Sequence, residues 1–462
     1  MRWALLFHFL PAALFSQNLQ LQWEQSFGGG NATFHAVTEA TNGYLVAVGE
    51  TKSKTQGGSD GLFVVADHST GQLLAEVRLG GSKDDVLYDV AQTFDGRFLV
   101  AGASASFGNG GNDGWLALVG ERGEKIWETT FATNGGDQFR RLLLLPDGTA
   151  LLAGYQNDKK TGDVWLAKAD GKRMVWEKNV GAGEFESLAG LALATDGGFV
   201  FCGNSGKKME GGDGNIFLAK TDAQGNLAWK KSFGEKGWEE ALDLLPARDG
   251  GFVLAGLTKS KGAGDLDAWL VKTSRDGFRQ WEKTFGGKDA DLANAVVQTS
   301  DDGFLLAGAT KSHRSGARFF KGWAVQASPG GDLEWEQHFG AANEDVANAA
   351  CVLHDGSVVL AGKSQSLGGN AWLFRLADPL AKNALAGIRD VVSIERTDPA
   401  VQTPDGSLKP GDATWISFRL TNTTGMDLPD LRVLADNKSG SADLSFWQTN
   451  YLINYTETIN KF

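Results

Sequence analysis

Apolar residues recur along this chain in short stretches, alternating with polar ones or running together, and each stretch is bounded by Asp-Gly, Gly-Gly or Asn-Gly. No window keeps the period of an amphipathic helix, so the pattern predicts short antiparallel strands joined by tight turns. The stretches also repeat. "QWEKTFGGKDADLANAVVQTSDDGFLLAG" at 280–308 is respelled as "AWKKSFGEKGWEEALDLLPARDGGFVLAG" from Ala228 and as "EWEQHFGAANEDVANAACVLHDGSVVLAG" from Glu334.

Three anchors run in phase. A Trp ahead of Phe-Gly gives Trp23, Trp127, Trp176, Trp229, Trp281 and Trp335, with Ala75 filling the gap, at steps of 52, 52, 49, 53, 52 and 54 residues. The "DGGF-VLAG" element gives Tyr44, Phe98, Ala150, Phe199, Phe252, Phe304 and Val358. The "DAWLVKT" element gives Leu62, Trp115, Trp165, Phe217, Trp269, Trp323 and Trp372. A four-stranded unit of this length cannot bury its own faces and must stack on neighbours round a closed ring, which predicts an all-β, seven-bladed β-propeller over 19–378. Eleven of the fifteen Trp fall on two of these anchors, so they are expected between blades. The lone strand "LQLQWEQSFGG" after the leader, and the end of the seventh unit at "NAWLFRLA", predict that the first strand completes the last blade and leaves no open edge.

Outside the ring the pattern changes. "MRWALLFHFLPAALFSQNLQ" has an early Arg and an apolar run too short to span a bilayer as a helix, so 1–18 is expected to be a secretory signal peptide. Residues 379–389 form a linker, and "TWISFRLTN" begins a new alternation within 390–462. That segment resembles the opening strands of an immunoglobulin-like β-sandwich. It is shorter than the roughly 100 residues such a domain takes, so it is either a small sandwich or the truncated front of something longer. The expected location is secreted, periplasmic or cell surface, with no transmembrane segment once the signal is removed.

Composition narrows the partners. With 62 Gly and 9 Pro the chain is turn-rich, and its net charge of −12 with no Lys/Arg block argues against nucleic acid as a target. Cys202 and Cys351 stand where other units put mostly Ala or Val and lack any metal-ligand spacing.

The residues "FLAKTDAQGNLAWKKSFG" at 217–234 resemble the tryptophan-docking strand pair of quinoprotein-type propellers, and "DGGFVLAG" with "FGG" resembles the propeller repeats of exported bacterial proteins. The resemblance covers about residues 19–378 and implies architecture. Quinoprotein enzymes usually carry one blade more than this chain offers, and the signatures of sialidase aspartate boxes and WD40 repeats are absent.

Function is expected on the face that carries the longer connections, after "FGG" and after "VLAG". The first set is acidic (Asp84 and Asp85, Glu239 and Glu240, Asp289 and Asp291, Glu344 and Asp345) and the second basic (Lys52 and Lys54, Lys159 and Lys160, Lys207 and Lys208, Lys259 and Lys261), which reads as solvated surface. One loop departs from its siblings: "TKSHRSGARFFKGWA" brings His313, Arg314, Arg318, Phe319 and Phe320, and Trp238 is a further aromatic outside the repeat, so these six are the candidate ligand-binding residues. A second candidate lies nine residues before the "DGGF" aromatic, where the units read His35, Asp89, Arg141, Gly190, Asp243, Ala295 and Ala349. If that position faces the channel mouth, His35, Asp89, Arg141 and Asp243 converge as acid, base and anion clamp. Phosphate loops, His-Glu-x-x-His and nucleophile elbows are missing, and "GDLD" and "KDAD" fall short of an EF-hand ligand set. No cofactor is expected, and calcium is the one ion these segments leave open. The sequence points to an exported, non-enzymatic propeller that binds a protein or glycan at the cell envelope. The alternatives are an accessory module of a larger exported enzyme, for example a peptidase, or a hydrolase or lyase with its site at the channel mouth.

Overall fold

The computed structural model describes residues 5–8, 19–55, 57–108, 111–131, 135–156, 163–180, 185–206, 214–314, 316–341, 343–377, 392–396, 418–422 and 432–435. It divides into two units, Asn18–Ala377 and Met1–Gln17 with Asp378–Phe462. In the second of these, Leu5–His8 pairs antiparallel with Arg432–Ala435, and Val392–Arg396 with Phe418–Asn422. The rest of the expected signal peptide, linker and sandwich lies outside the described residues. Among the described residues no helix is long and apolar enough to cross a membrane.

Asn18–Ala377 contains seven four-stranded antiparallel sheets. Blades 1 to 7 open on the strands Ala32–Glu39, Asp85–Gln92, Gln138–Leu144, Phe185–Leu193, Glu239–Pro246, Asp291–Gln298 and Asp345–Val352. These first strands touch one another in order right round the ring, blade 7 against blade 1 included, so they line the central channel. Blade 5 shows the plan: Glu239–Pro246, Phe252–Thr258, Asp267–Thr273 and Arg279–Phe285, from channel to rim. Blade 7 takes its rim strand from the start of the chain, Gln20–Phe27, laid antiparallel on Asn370–Ala377. The closure expected from the sequence is therefore the one that forms.

Both Trp anchors pack as expected. The third-strand residues Trp115, Trp165, Trp269 and Trp372 are fully buried. The indole N–H of Trp165 donates to Glu177 Oε2 (2.9 Å) and that of Trp323 to Glu336 Oε2 (3.0 Å), each Glu following its blade's rim Trp. Blade 4 changes both members together: Phe217 has no N–H to satisfy, and Lys230 replaces the Glu with its ammonium 4.5 Å from the Phe217 ring. The rim Trp of one blade docks on a left-handed glycine in the outer turn of the next. A Cβ on Gly71, Gly225, Gly277 or Gly331 would lie within 2.8 Å of Trp23, Trp176, Trp229 or Trp281, so a side chain there would displace the ring.

Every first strand carries a β-bulge in its middle, between Phe34 and Ala36 in blade 1 and at the equivalent place in the other six. The bulge explains the glycine of "VLAG". A Cβ on Gly49, Gly102, Gly154, Gly203, Gly256, Gly308 or Gly362 would fall 1.7–2.0 Å from a carbonyl oxygen of the adjacent first strand.

Charged side chains that the sequence placed on loop surfaces do structural work instead. Asp85, Glu239, Asp291 and Asp345 are fully buried. Asp291 accepts from Thr310 Oγ1, from Gly287 N (2.7 Å) and from Ser312 Oγ (2.7 Å), tying the loop that enters the strand to the end of the second strand. Asp85 does the same with Ser104, Gly81 N (2.8 Å) and Ser106 Oγ (2.6 Å). Burial of a carboxylate is tolerable here because Asp85, Asp291 and Asp345 each collect several donors, and Glu239 Oε1 accepts from Thr258 and Ser260. Lys259 and Lys261 pair with Asp265 and with Glu235 and Glu282, while Lys159, Lys160, Lys207 and Lys208 lie outside the described residues. At the opposite face, Lys168, Lys220 and Lys272 pin the turn aspartates Asp147 (2.8 Å), Asp196 (2.5 Å) and Asp249 (2.7 Å).

Candidate functional site

The bulges turn two adjacent residues per first strand toward the channel, so its wall has two rings of variable residues where the sequence suggested one. The skipped residues of the ladder are His35, Tyr88, Arg140, Ala189, Leu242, Asn294 and Asn348. The residues that follow them are Ala36, Asp89, Arg141, Gly190, Asp243, Ala295 and Ala349. His35 thus belongs to the first ring and Asp89, Arg141 and Asp243 to the second. The one-residue offset has a local cause. Gly49 pairs with Phe34 as Gly102 pairs with Leu87, and counting back from these glycines puts buried Leu45 where Phe98 stands. The turn has the same length in both blades, and Tyr44, the residue used as the anchor of blade 1, is exposed and stands where blade 2 carries Arg97.

Three of the four channel candidates come together. Arg141 of blade 3 reaches past blade 4 to blade 5, where Nη2 donates to Leu242 O (3.3 Å) and stands 3.6 Å from Asp243 Oδ1. Blade 4 offers only Gly190 at this level, and a Cβ there would meet Leu244 Cβ at 2.4 Å. Asp89 accepts from Val90 N (2.9 Å) and from Leu142 N of the next blade (2.8 Å), and Asp243 accepts from Val296 N of its next blade (3.0 Å). Both carboxylates therefore stitch blades together. Loss of hydration in the channel wall pushes Asp89 up to about 6, against the pull of Arg141 and of the two amides, and the same loss raises Asp243.

His35 lies in a separate group, most of which sequence reasoning missed. Its ring is 5.2 Å from that of Tyr88, and on Tyr88 rests the Arg140 guanidinium, 4.1 Å from the ring centroid. His35 Nε2 stands 3.8 Å from Glu50 Oε1, and this neighbour above all holds the Glu50 carboxyl below its ordinary value despite its partial burial. Glu50 and Tyr155 occupy the same position on the second strands of blades 1 and 3, one residue beyond the close-packed glycine toward the long-loop face. The signal was present in the sequence as "VGET" and "AGYQ", where blades 2 and 6 read "AGAS" and "AGAT".

The sixth-blade loop forms a different patch. A turn closed by Ala317 N on Arg314 O (3.3 Å) leaves Arg314 and Arg318 exposed. Phe319 is half-buried beneath the Arg318 guanidinium (5.3 Å), and Phe320 has the Lys311 ammonium over its ring (4.4 Å). His313 is held by Thr310 O (3.3 Å) and faces His338, with ring centroids 6.1 Å apart. Trp238 is not part of this patch. It sits half-buried where blade 4 meets blade 5, bridged to Gly214, whereas Phe320 accepts from Asp345 N where blade 6 meets blade 7.

Among the described residues no group of three or more His, Cys, Asp or Glu is placed to hold a metal ion. Cys202 and Cys351 are unpaired, and burial raises both thiols, that of Cys351 to about 12.

No protein-family model matches the chain, and no curated protein matches its sequence. Solved structures do resemble it. Sqt1 from Chaetomium thermophilum superposes with a TM-score of 0.44 at 13% identity over 74% of this chain and 82% of its own. An α-L-arabinanase from Penicillium chrysogenum gives 0.44 at 12% identity over 81% and 99%. A Bacteroides caccae protein of unknown function gives 0.42 at 11% identity over 66% and 98%. Likeness at this level passes no ligand or activity to the chain.

Proposed function

We propose that this protein is an exported, non-enzymatic binding propeller that holds a protein or glycan of the cell envelope on its long-loop face. The observation that carries the reading is the sixth-blade loop, where two exposed arginines stand beside two half-buried phenylalanines. Arginine and aromatic side chains dominate binding energy at interfaces because they bring large contact area together with directed donors. The acids that a channel-mouth hydrolase would use are occupied: Asp89 and Asp243 spend oxygens on backbone amides of neighbouring blades. This favours binding over acid–base chemistry at that position.

The test uses the protein from Leu19 onward against a glycan array and immobilised envelope proteins. Saturable binding is expected, with at least a tenfold loss when Arg314, Arg318, Phe319 and Phe320 are changed to Ala and circular dichroism is unchanged. Binding of equal strength in that variant would move the site off the sixth-blade loop, and Trp238→Ala then asks whether the junction of blades 4 and 5 carries it.

A further inference from the structure

The channel wall treats its polar groups in two ways. In blades 4, 6 and 7 they are used up. Asn204 Nδ2 lies 3.4 Å from Ala241 O, Asn294 Nδ2 donates to Ala347 O (2.8 Å), and Asn348 Nδ2 donates to Phe34 O (3.1 Å). In blades 1 to 3 the second-ring residues Asp89 and Arg141 are likewise engaged, but the groups at the positions of these three asparagines are not. Among the described residues the Arg140 guanidinium makes no hydrogen bond or ion pair, only its stacking contact with Tyr88. His35 Nε2 is buried without a hydrogen-bond partner, with Glu50 Oε1 3.8 Å away, and the Tyr88 and Tyr155 hydroxyls make no hydrogen bond among the described residues. Four adjacent groups thus present polar ends without hydrogen bonds to one side of the lumen, and Glu50 stands among them beside His35. Stability does not call for this, because a wall of Ala and Leu serves blades 4 and 5 at the Arg140 position.

The chemistry of the five groups is complementary to one kind of molecule. An unpaired guanidinium, held over an aromatic ring, presents parallel N–H donors that match a carboxylate in bidentate fashion. Glu50, kept ionised, accepts from a hydroxyl or ammonium group. The Tyr88 phenol is held protonated by burial and remains a donor at neutral pH. We infer that the blade 1–3 sector of the channel, formed by His35, Glu50, Tyr88, Arg140 and Tyr155, binds a small carboxylate that carries hydroxyl or ammonium donors at its far end. This site is independent of the sixth-blade loop, and the two readings fail separately.

The experiment is isothermal titration of the protein, from Leu19 onward, with glucuronate, with the free amino acid alanine and with glucose as the uncharged control. Glucuronate or alanine is expected to bind saturably, and whichever does identifies the far-end donor. Glucose is expected to bind at least tenfold more weakly. Arg140→Ala places at that position the residue that blade 4 carries as Ala189, and is expected to weaken binding at least tenfold. The four-alanine loop variant is expected to leave it unchanged. Glu50→Gln and Tyr155→Phe, each expected to weaken binding severalfold, keep the test open should Arg140→Ala fold poorly. Absence of saturable binding by both carboxylates, glucose binding as tightly as glucuronate, or affinity indifferent to these substitutions would each overturn the proposal.

Discussion

The Trp165 indole and the Glu177 carboxylate form a unit that the chain repeats at Trp323 and Glu336 and abandons in blade 4, where Phe217 and Lys230 replace both members. A buried donor is costly only when its acceptor is withdrawn. Glu177→Leu should therefore lower the unfolding free energy by about 1–2 kcal/mol, and in a Trp165→Phe background by much less. A urea double-mutant cycle measures the difference; coupling near zero would mean that the indole is already served by water. Asp89 gives a second expectation at this scale. Its folded-state value of about 6 lies above the ordinary carboxylate value of about 3.9, so its proton is held more tightly when folded. Its contribution to stability is fully present below the ordinary value and is lost as pH rises through 6. Asp67, Asp95 and Asp147, held down to about 2, lose theirs only in stronger acid. From pH 5 to 7.5 the protein should lose on the order of 1 kcal/mol relative to Asp89→Ala, read as diverging denaturation midpoints. Parallel pH profiles for the two proteins would contradict this.

Within a blade, the buried clasp at the head of the first strand is the joint between strands. Asp291→Ala would strand the donors of Thr310, Gly287 and Ser312 and should cost about 3 kcal/mol, with faster hydrogen exchange at the Gly287 and Ser312 amides. Blade 1 shows the joint made otherwise: Ala32 replaces the acid, and Thr51 Oγ1 donates to Gly28 O (2.8 Å). These joints also mark how far the sequence could be read. The repeat of Trp, Gly and turn residues discloses the blades, because packing and turn geometry demand the same residue type each time. It does not disclose that Asp85 and Asp291 are buried, since an acid in a Gly-rich loop looks the same whether its donors come from water or from a serine twenty residues on. Nor does it disclose the bulge, which adds one residue to every unit alike and so leaves the spacing regular. That hidden residue left Tyr88 and Arg140 uncounted among the channel groups, while the choice of Tyr44 over Leu45 as anchor set His35 beside Asp89.

For the molecule as a whole, the joint between blades 7 and 1 stands apart, because it unites residues from opposite ends of the propeller sequence. The Gln20–Phe27 strand supplies the rim of blade 7, Asn348 donates to Phe34 O, and Glu39 Oε2 accepts from His354 N (2.6 Å) and faces its imidazole. A protein beginning at Gly28 would expose the edge of Asn370–Ala377 and should self-associate in light scattering, with a peptide of residues 19–27 restoring the monomer. A monomer without the peptide would show that the rim strand is dispensable. The same arrangement sets a timetable. The first strand of the ring leaves the ribosome about 350 residues before the strand it must join, which at about 5–20 residues per second is roughly 20–70 s. For that interval the growing chain is an open array with a waiting hook, and the ring becomes a ring only when synthesis reaches its last blade.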